Sequence, residues 1–213
     1  MKTQLRTPFL MFLTMIIAAF IAASPAHADG LIVSLSPLSD VAAGSTGNTF
    51  DVTLTNSSGA SASIGAFFFE VTSSSSDITF TDATVDTADP YIFGADSLFG
   101  PDIVGSNSGT DISGSDLDLA GDFSLDPGVT VGLGHVSFDV ASGAATQTVS
   151  FDLVGFPGTS LSDEFGTNIP IGTLNGGQFQ IIGAVASAPE PSSLLLLFSA
   201  IPLALLPRRS GIR

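Results

Sequence analysis

The chain has 213 residues, of which 20 are acidic and only five are Lys or Arg, so its formal net charge is −15 at pH 7. The five basic residues lie within residues 1–6 and 208–213, and the chain contains no cysteine. This composition excludes nucleic acids, whose affinity rests on Lys and Arg contacts with phosphate, and it excludes a fold held by disulfides.

Residues 1–28 are typical of a secretory signal peptide. Lys2 and Arg6 precede an apolar run at 9–23, and the segment ends in the small-residue sequence AHA at 26–28. A basic start, an apolar centre and an A-x-A end are the three parts of such a signal. We therefore expect cleavage after residue 28 and an exported domain that begins at Asp29. The alternative is a retained N-terminal membrane helix.

Alternation of period two predicts β-strands throughout residues 29–184. In TFDVTLTN, residues 49–56, every second side chain is apolar and the side chains between them are polar. This pattern is typical of strands with one buried and one solvated face, so Asp51 and His135 should face solvent. The core side chains predicted in this way are Phe50, Val52, Leu54, Val136, Phe138, Val140, Val149, Phe151, Leu153, Phe179 and Ile181.

Further strands are expected at 31–36, 63–72, 77–85, 116–123 and 129–134. Polar turns should separate them, notably at 56–63, 73–77 and 105–115. Eight or nine short strands with polar turns predict an all-β fold, a single β-sandwich or jelly roll. About 160 residues are enough for one self-sufficient core.

The acidic stretch at 111–126 contains the one metal candidate, Asp116, Asp118 and Asp122. These residues imitate the start of a calcium loop, but Ala120 occupies the fifth ligand position and Pro127 stands where a bidentate Glu is required. If Leu117 and Leu119 face the core, Asp116 and Asp118 lie on the solvated side of a strand. We expect that arrangement, with weak calcium binding as the alternative and no other cofactor.

His135 is the only histidine of the predicted mature domain and the only candidate for an imidazole base. It falls on the polar side of a strand pattern, and the chain has no G-x-S-x-G nucleophile elbow. Glu70 and Glu164 give no positional reason to assign a glycosidase pair. We expect a protein that is not an enzyme; a secreted esterase or glycosidase is the alternative.

Residues 185–213 combine a linker, an apolar segment and a basic tail. The stretch at 192–207 would form a helix of about 24 Å, against a hydrocarbon core of about 30 Å, which makes it a marginal membrane span. It contains Pro202, and the positive-inside rule would hold Arg208 and Arg209 in the cytoplasm. By its length alone, a buried core helix is the alternative.

Pro189, Glu190 and Pro191, followed by a short apolar helix and by Arg208 and Arg209, resemble the PEP-CTERM sorting signal of Gram-negative bacteria. The resemblance implies recognition by exosortase, a membrane protease, with removal of the tail near the triplet. It also implies delivery to the cell surface or an exopolysaccharide matrix. Only three arginines form the basic tail, which weakens the stop signal.

The strand order from AAGSTGNTFDVTLTN through GHVSFDV to GGQFQI resembles cohesin-like domains. This resemblance implies a jelly-roll module that acts in binding and surface assembly. Together the two resemblances predict an exported, non-catalytic, acidic sandwich that works in adhesion or scaffolding. Its contact with the membrane would be through the C-terminal segment alone, and its partner could be an exopolysaccharide or a surface protein.

Overall fold

The structure is a computed structural model that describes residues 30–100, 102–103 and 109–183. The predicted signal peptide at 1–28 lies outside the described residues. The same holds for the predicted linker, apolar helix and sorting signal at 185–213, which include Pro189, Glu190, Pro191, Arg208 and Arg209.

The described residues form an all-β sandwich, which confirms the predicted fold class. The strands are β1 Leu31–Leu35, β2 Val41–Ala42, β3 Asn48–Asn56, β4 Ala62–Ile64, β5 Ala66–Ser73, β6 Ile78–Thr84, β7 Asp102–Ile103, β8 Asp111–Leu117, β9 Phe123–Leu125, β10 Thr130–Val140, β11 Gln147–Leu153, β12 Ser160–Ser162, β13 Asn168–Ile169, β14 Thr173–Asn175 and β15 Gly177–Ile182.

Two main sheets build the sandwich. The first has the order β14-β1-β3-β10-β6, so β3 lies between two neighbours that both pair with it along its length. The second has the order β13-β12-β5-β11-β15-β2, with β8 on the other edge of β5 and β7 beside β8. A third sheet has two short strands, β4 and β9, which pair in antiparallel orientation.

The inner faces meet in a core dominated by phenylalanine. Five rings, one from each of β3, β6, β10, β11 and β15, pack with centroids 5.0 to 6.5 Å apart in edge-to-face and tilted pairs. Such pairs add stabilisation beyond the apolar area that they bury. The eleven core side chains predicted from the strands at 49–56 and 135–182 are all buried, so these strand phases are confirmed.

The strand prediction missed the short strands β2, β12, β13 and β14, and it was wrong in the acidic region. A strand was expected at 116–123 after a polar turn, whereas β8 already begins at Asp111 and ends at Leu117. Ile112, Gly114 and Asp116 point inward from β8. The small residues at 105–115 predicted a turn, but Gly114 lies in a strand and is needed there because a Cβ at this position would lie 2.6 Å from the Phe69 ring.

The helical content of the described residues is small. One 3₁₀ turn spans Gly94–Asp96, and no helix in this part of the chain is long and apolar enough to cross a membrane.

We expect Gly114→Ala to lower the free energy of unfolding by about 2 kcal/mol, because the added methyl overlaps the fully buried Phe69 ring. Urea denaturation measures the loss. Gly143→Ala is the matched control, since nothing lies within 4 Å of the added Cβ, and it should change stability by less than about 0.5 kcal/mol.

A double-mutant cycle of Gly114→Ala with Phe69→Leu tests whether the added methyl meets the Phe69 ring. Because the smaller side chain leaves room for the methyl, the two substitutions should be coupled by about 1 kcal/mol. Additive effects would show that the Gly114 methyl does not meet the Phe69 ring.

Candidate interaction surface

The segment at 85–100 connects β6 to β7 and is held by two buried carboxylates. Asp116 comes from β8 in one sheet, and Asp51 comes from β3 in the other. They are 3% and 7% exposed, and residues 30–183 contain no Lys or Arg to pair with them. A buried carboxylate without a cation must be stabilised by hydrogen-bond donors, so the donors show what each carboxylate holds in place.

Asp116 accepts four hydrogen bonds, and three come from the 85–100 segment. Its Oδ2 accepts from Tyr91 Oη at 2.8 Å and from Ser97 Oγ at 2.5 Å. Its Oδ1 accepts from the backbone N–H of Phe99 at 3.0 Å and of Leu117 at 2.8 Å. Burial, together with the hydrogen bond and the charge of Asp116, raises the pKa of Tyr91 far above its usual value. The phenol therefore remains a donor.

Asp51 holds the beginning of the same segment. Its Oδ2 accepts from the backbone N–H of Ala88 at 2.9 Å, and its Oδ1 lies 2.6 Å from Nδ1 of His135. The prediction that Asp51 faces solvent was wrong, because β3 is a central strand and the 85–100 segment covers this part of its outer face. The His135 side chain is partly exposed, at 28%.

The segment presents apolar side chains to solvent where it runs beside the end of β8. The Leu98 N–H donates to the Leu117 carbonyl at 3.1 Å, and the Leu119 N–H donates to the Asp96 carbonyl at 2.8 Å. We call the resulting surface the apolar platform; its residues are Val85, Leu98, Phe99, Leu117 and Leu119, exposed by 42, 37, 66, 38 and 63%.

Two members of the platform were expected in the core. The predicted phase put Leu117 and Leu119 inside and Asp116 outside, and the structure shows the reverse. Alternation alone could not decide the phase, because it does not indicate that a buried carboxylate will meet three donors from distant residues. The other members, Leu98 and Phe99, lie in a loop without periodicity and were not singled out from the sequence.

The platform is bordered by negative charge. Asp86, Asp89 and Asp96 lie in the segment itself, and Asp118 follows β8 and pairs with Ser97. Exposed apolar residues surrounded by polar ones are typical of protein interaction sites, and a basic border on the partner would complement these carboxylates.

The calcium candidates do not come together. Asp118 accepts from the Ala120 N–H, and Asp122 accepts from Ser63 Oγ and the Glu164 N–H, while the oxygens of Asp116 are already occupied. In the part of the chain that the structure describes, no group of three or more His, Asp or Glu side chains is placed to hold a metal ion.

Solved structures with a similar backbone are cohesins, whereas no family model and no curated protein matches the chain. CaCohA2 from Clostridium acetobutylicum, in complex with CaDoc0917, has 16% identity and a TM-score of 0.54 over 71% of this chain and 99% of its own. The sixth cohesin of scaffoldin B from Acetivibrio cellulolyticus, solved with a Cel5 dockerin, has 16% identity and a TM-score of 0.53 over the same shares.

A type I cohesin–dockerin complex from Clostridium thermocellum, Coh-OlpC-Doc435, is a third neighbour, with 13% identity and a TM-score of 0.51 over 72% of this chain and 94% of that chain. At these identities the likeness concerns the fold. The described domain is a cohesin-like β-sandwich.

We expect Asp116→Ala to lower the free energy of unfolding by about 3 kcal/mol, since it leaves the Tyr91 and Ser97 hydroxyls and two backbone N–H groups without their acceptor. Asp118→Ala is the control, because that carboxylate accepts one local bond, and it should cost less than about 1 kcal/mol.

Urea denaturation with and without calcium measures both variants. Equal losses in the two variants would contradict the structural role of Asp116. A calcium-dependent gain in stability that Asp118→Ala abolishes would show that these carboxylates bind calcium.

Proposed function

We propose that this chain is an exported, non-catalytic binding module that is sorted to the cell surface or the extracellular matrix. There it would hold a partner protein at the apolar platform in adhesion or scaffolding. The observation that carries the binding role is the platform itself: a loop fixed by two buried carboxylates that presents Leu98 and Phe99 to solvent beside the exposed Leu119.

The fold supports a binding role. Cohesin-like neighbours were solved in complex with dockerins, so this type of sandwich can hold a protein partner. The chemistry of the platform indicates the partner's character. The partner should contact Phe99 and Leu119 with a buried apolar side chain, and it should place basic side chains near Asp96 and Asp118.

The export step rests on the two termini of the sequence. The N-terminal signal would deliver the domain across the inner membrane, and the segment at 192–207 would hold it there with Arg208 and Arg209 inside. Exosortase-type cleavage near Pro189 would then release the acidic domain. The high negative charge favours solubility after release.

The alternative of a secreted hydrolase would draw on the contact between Asp51 and His135, since an Asp on Nδ1 of a His is two thirds of a catalytic triad. The other Asp51 oxygen holds the Ala88 N–H, so the carboxylate already has a structural task. We therefore propose that the pair anchors the 85–100 segment rather than activates a nucleophile.

Deletion of residues 189–213 should leave the protein unsorted in the native host. Cell fractionation should find the wild type at the surface or in the matrix, and the truncated chain in the periplasm or medium. Intact-mass measurement of the wild type should show a tail lost near Pro189. A full-length mass at the surface would contradict processing, and equal distributions of the two chains would contradict sorting.

The platform is tested by the double variant Phe99→Asp and Leu119→Asp, which adds charge at exposed positions where the fold tolerates it. We expect the fraction retained at the surface to fall about tenfold, because the apolar anchors of an interface carry most of its affinity. Immunoblots of cells and medium measure retention.

Phe165→Asp is the matched control, because Phe165 is 84% exposed and lies outside the platform. Retention equal to wild type in the platform variant would overturn the binding role. The mass of the released protein separates this result from a failure of sorting, since a processed chain has passed the sorting step.

A further inference from the structure

Two adjoining cavities lie beside β12 and β13, on residues that the apolar platform does not use. One has a volume of about 350 Å³ and the other about 230 Å³. They share Phe156, Ser160 and Asn168 in their walls and therefore adjoin each other, and we call the two together the β12–β13 groove. Their combined size is within the range of small-ligand sites.

A polar atom beside this groove lacks a partner. Thr159 lines the smaller cavity and is 2% exposed, and its buried Oγ1 has no hydrogen-bond partner among the described residues. Buried hydroxyls are nearly always satisfied, and an unsatisfied one costs free energy, so a ligand that reached this atom would gain by bringing a donor or an acceptor.

The groove wall also carries an exposed aromatic ring. Phe156 is 73% exposed although it borders both cavities. An aromatic face that is open to solvent beside a groove can pack against the apolar face of a ring-shaped ligand.

The walls of the groove contain no charged side chain. This is notable in a chain with 20 acidic residues, because carboxylates border other parts of the surface. A cation would therefore find no counter-charge in the groove, and an anion would find no Lys or Arg and would be repelled by the negative domain. The polar groups that remain are hydroxyls and one amide, from Thr159, Ser160, Ser162 and Asn168, which can both donate and accept.

We propose that the β12–β13 groove is a binding site for a neutral sugar ring. The apolar face of the ring would pack on Phe156, its hydroxyl groups would bond to Thr159 and Asn168, and no charge is needed on either side. This inference goes beyond the partner-protein function proposed above and does not depend on it.

The turn that closes one side of the groove is held by hydrogen bonds between a side chain and the backbone. Asp163 Oδ1 accepts from the backbone N–H of Phe165 at 2.9 Å and of Thr167 at 2.8 Å, and Gly166 takes a positive φ of 77° within this turn. The hydrogen bond from the Thr167 N–H holds the pKa of Asp163 below its usual value. Gly166 itself lines the larger cavity, so these hydrogen bonds fix part of the groove wall before a ligand binds.

Saturation-transfer difference NMR on the full chain tests the proposal, with galactose, glucose and N-acetylglucosamine as probes and glucuronic acid as the charged comparison. The full chain contains the apolar segment at 192–207 and is therefore kept in detergent. The detergent should be zwitterionic, because the head groups of maltoside detergents are neutral sugars and would compete for the site. We expect transfer to at least one neutral sugar, with affinity about tenfold higher than for glucuronic acid.

Phe156→Ala should weaken that affinity about tenfold, and Phe165→Ala, which removes an exposed ring outside both cavities, should leave it unchanged. Thr159→Val removes the unpartnered hydroxyl at nearly constant shape. It should weaken binding about threefold while raising Tm by about 2 °C, because a buried polar group without a partner is gone.

No transfer to any neutral sugar at about 50 mM would overturn the proposal. So would equal losses in the two phenylalanine variants, or a Thr159→Val protein that gains stability and binds as the wild type does. Because the readout is direct binding in solution, none of these results bears on sorting or on the apolar platform.

Discussion

The fold depends on how a chain without internal cations satisfies its buried carboxylates. No Lys or Arg lies between residues 7 and 207, so Asp51 and Asp116 cannot form the ion pairs with Lys or Arg that usually accompany buried acids. They are stabilised instead by hydroxyl and backbone donors, and by the ring of His135 in the case of Asp51. Four of these donors come from the loop at 85–100, and the requirement to satisfy the carboxylates therefore gives the loop a fixed place.

The same constraint shapes the surface. Because Asp116 accepts from the Tyr91 and Ser97 hydroxyls and the Phe99 N–H, these polar groups of the loop are turned inward, while Leu98 and Phe99 are turned to solvent. The hydrogen bonds to a buried acid thus fix the part of the loop that carries two exposed apolar side chains. The loop that carries this surface is held by both sheets, through Asp51 and Asp116.

The β12–β13 groove does not depend on a buried carboxylate. Its turn is ordered by a carboxylate that is itself exposed, Asp163, and its wall contains no charge at all. The domain therefore offers two surfaces of contrasting chemistry: an apolar platform edged with carboxylates and a neutral groove with hydroxyls. The platform suits a partner protein and the groove suits a neutral sugar, and the two proposed binding sites share no residue.

The sequence by itself determined the all-β class and the phase of most strands, because a strand with one buried face must alternate and its phenylalanines pack on that face. It could not determine the phase of β8, where Gly114 and Asp116 point inward. Gly114 packs beneath the Phe69 ring and Asp116 is surrounded by hydrogen-bond donors, but in the sequence both residues are typical of a polar turn. Only the tertiary structure brought Tyr91, Ser97 and Ala88 to the two buried carboxylates. Those contacts join residues 17 to 37 positions apart, and no local pattern encodes them.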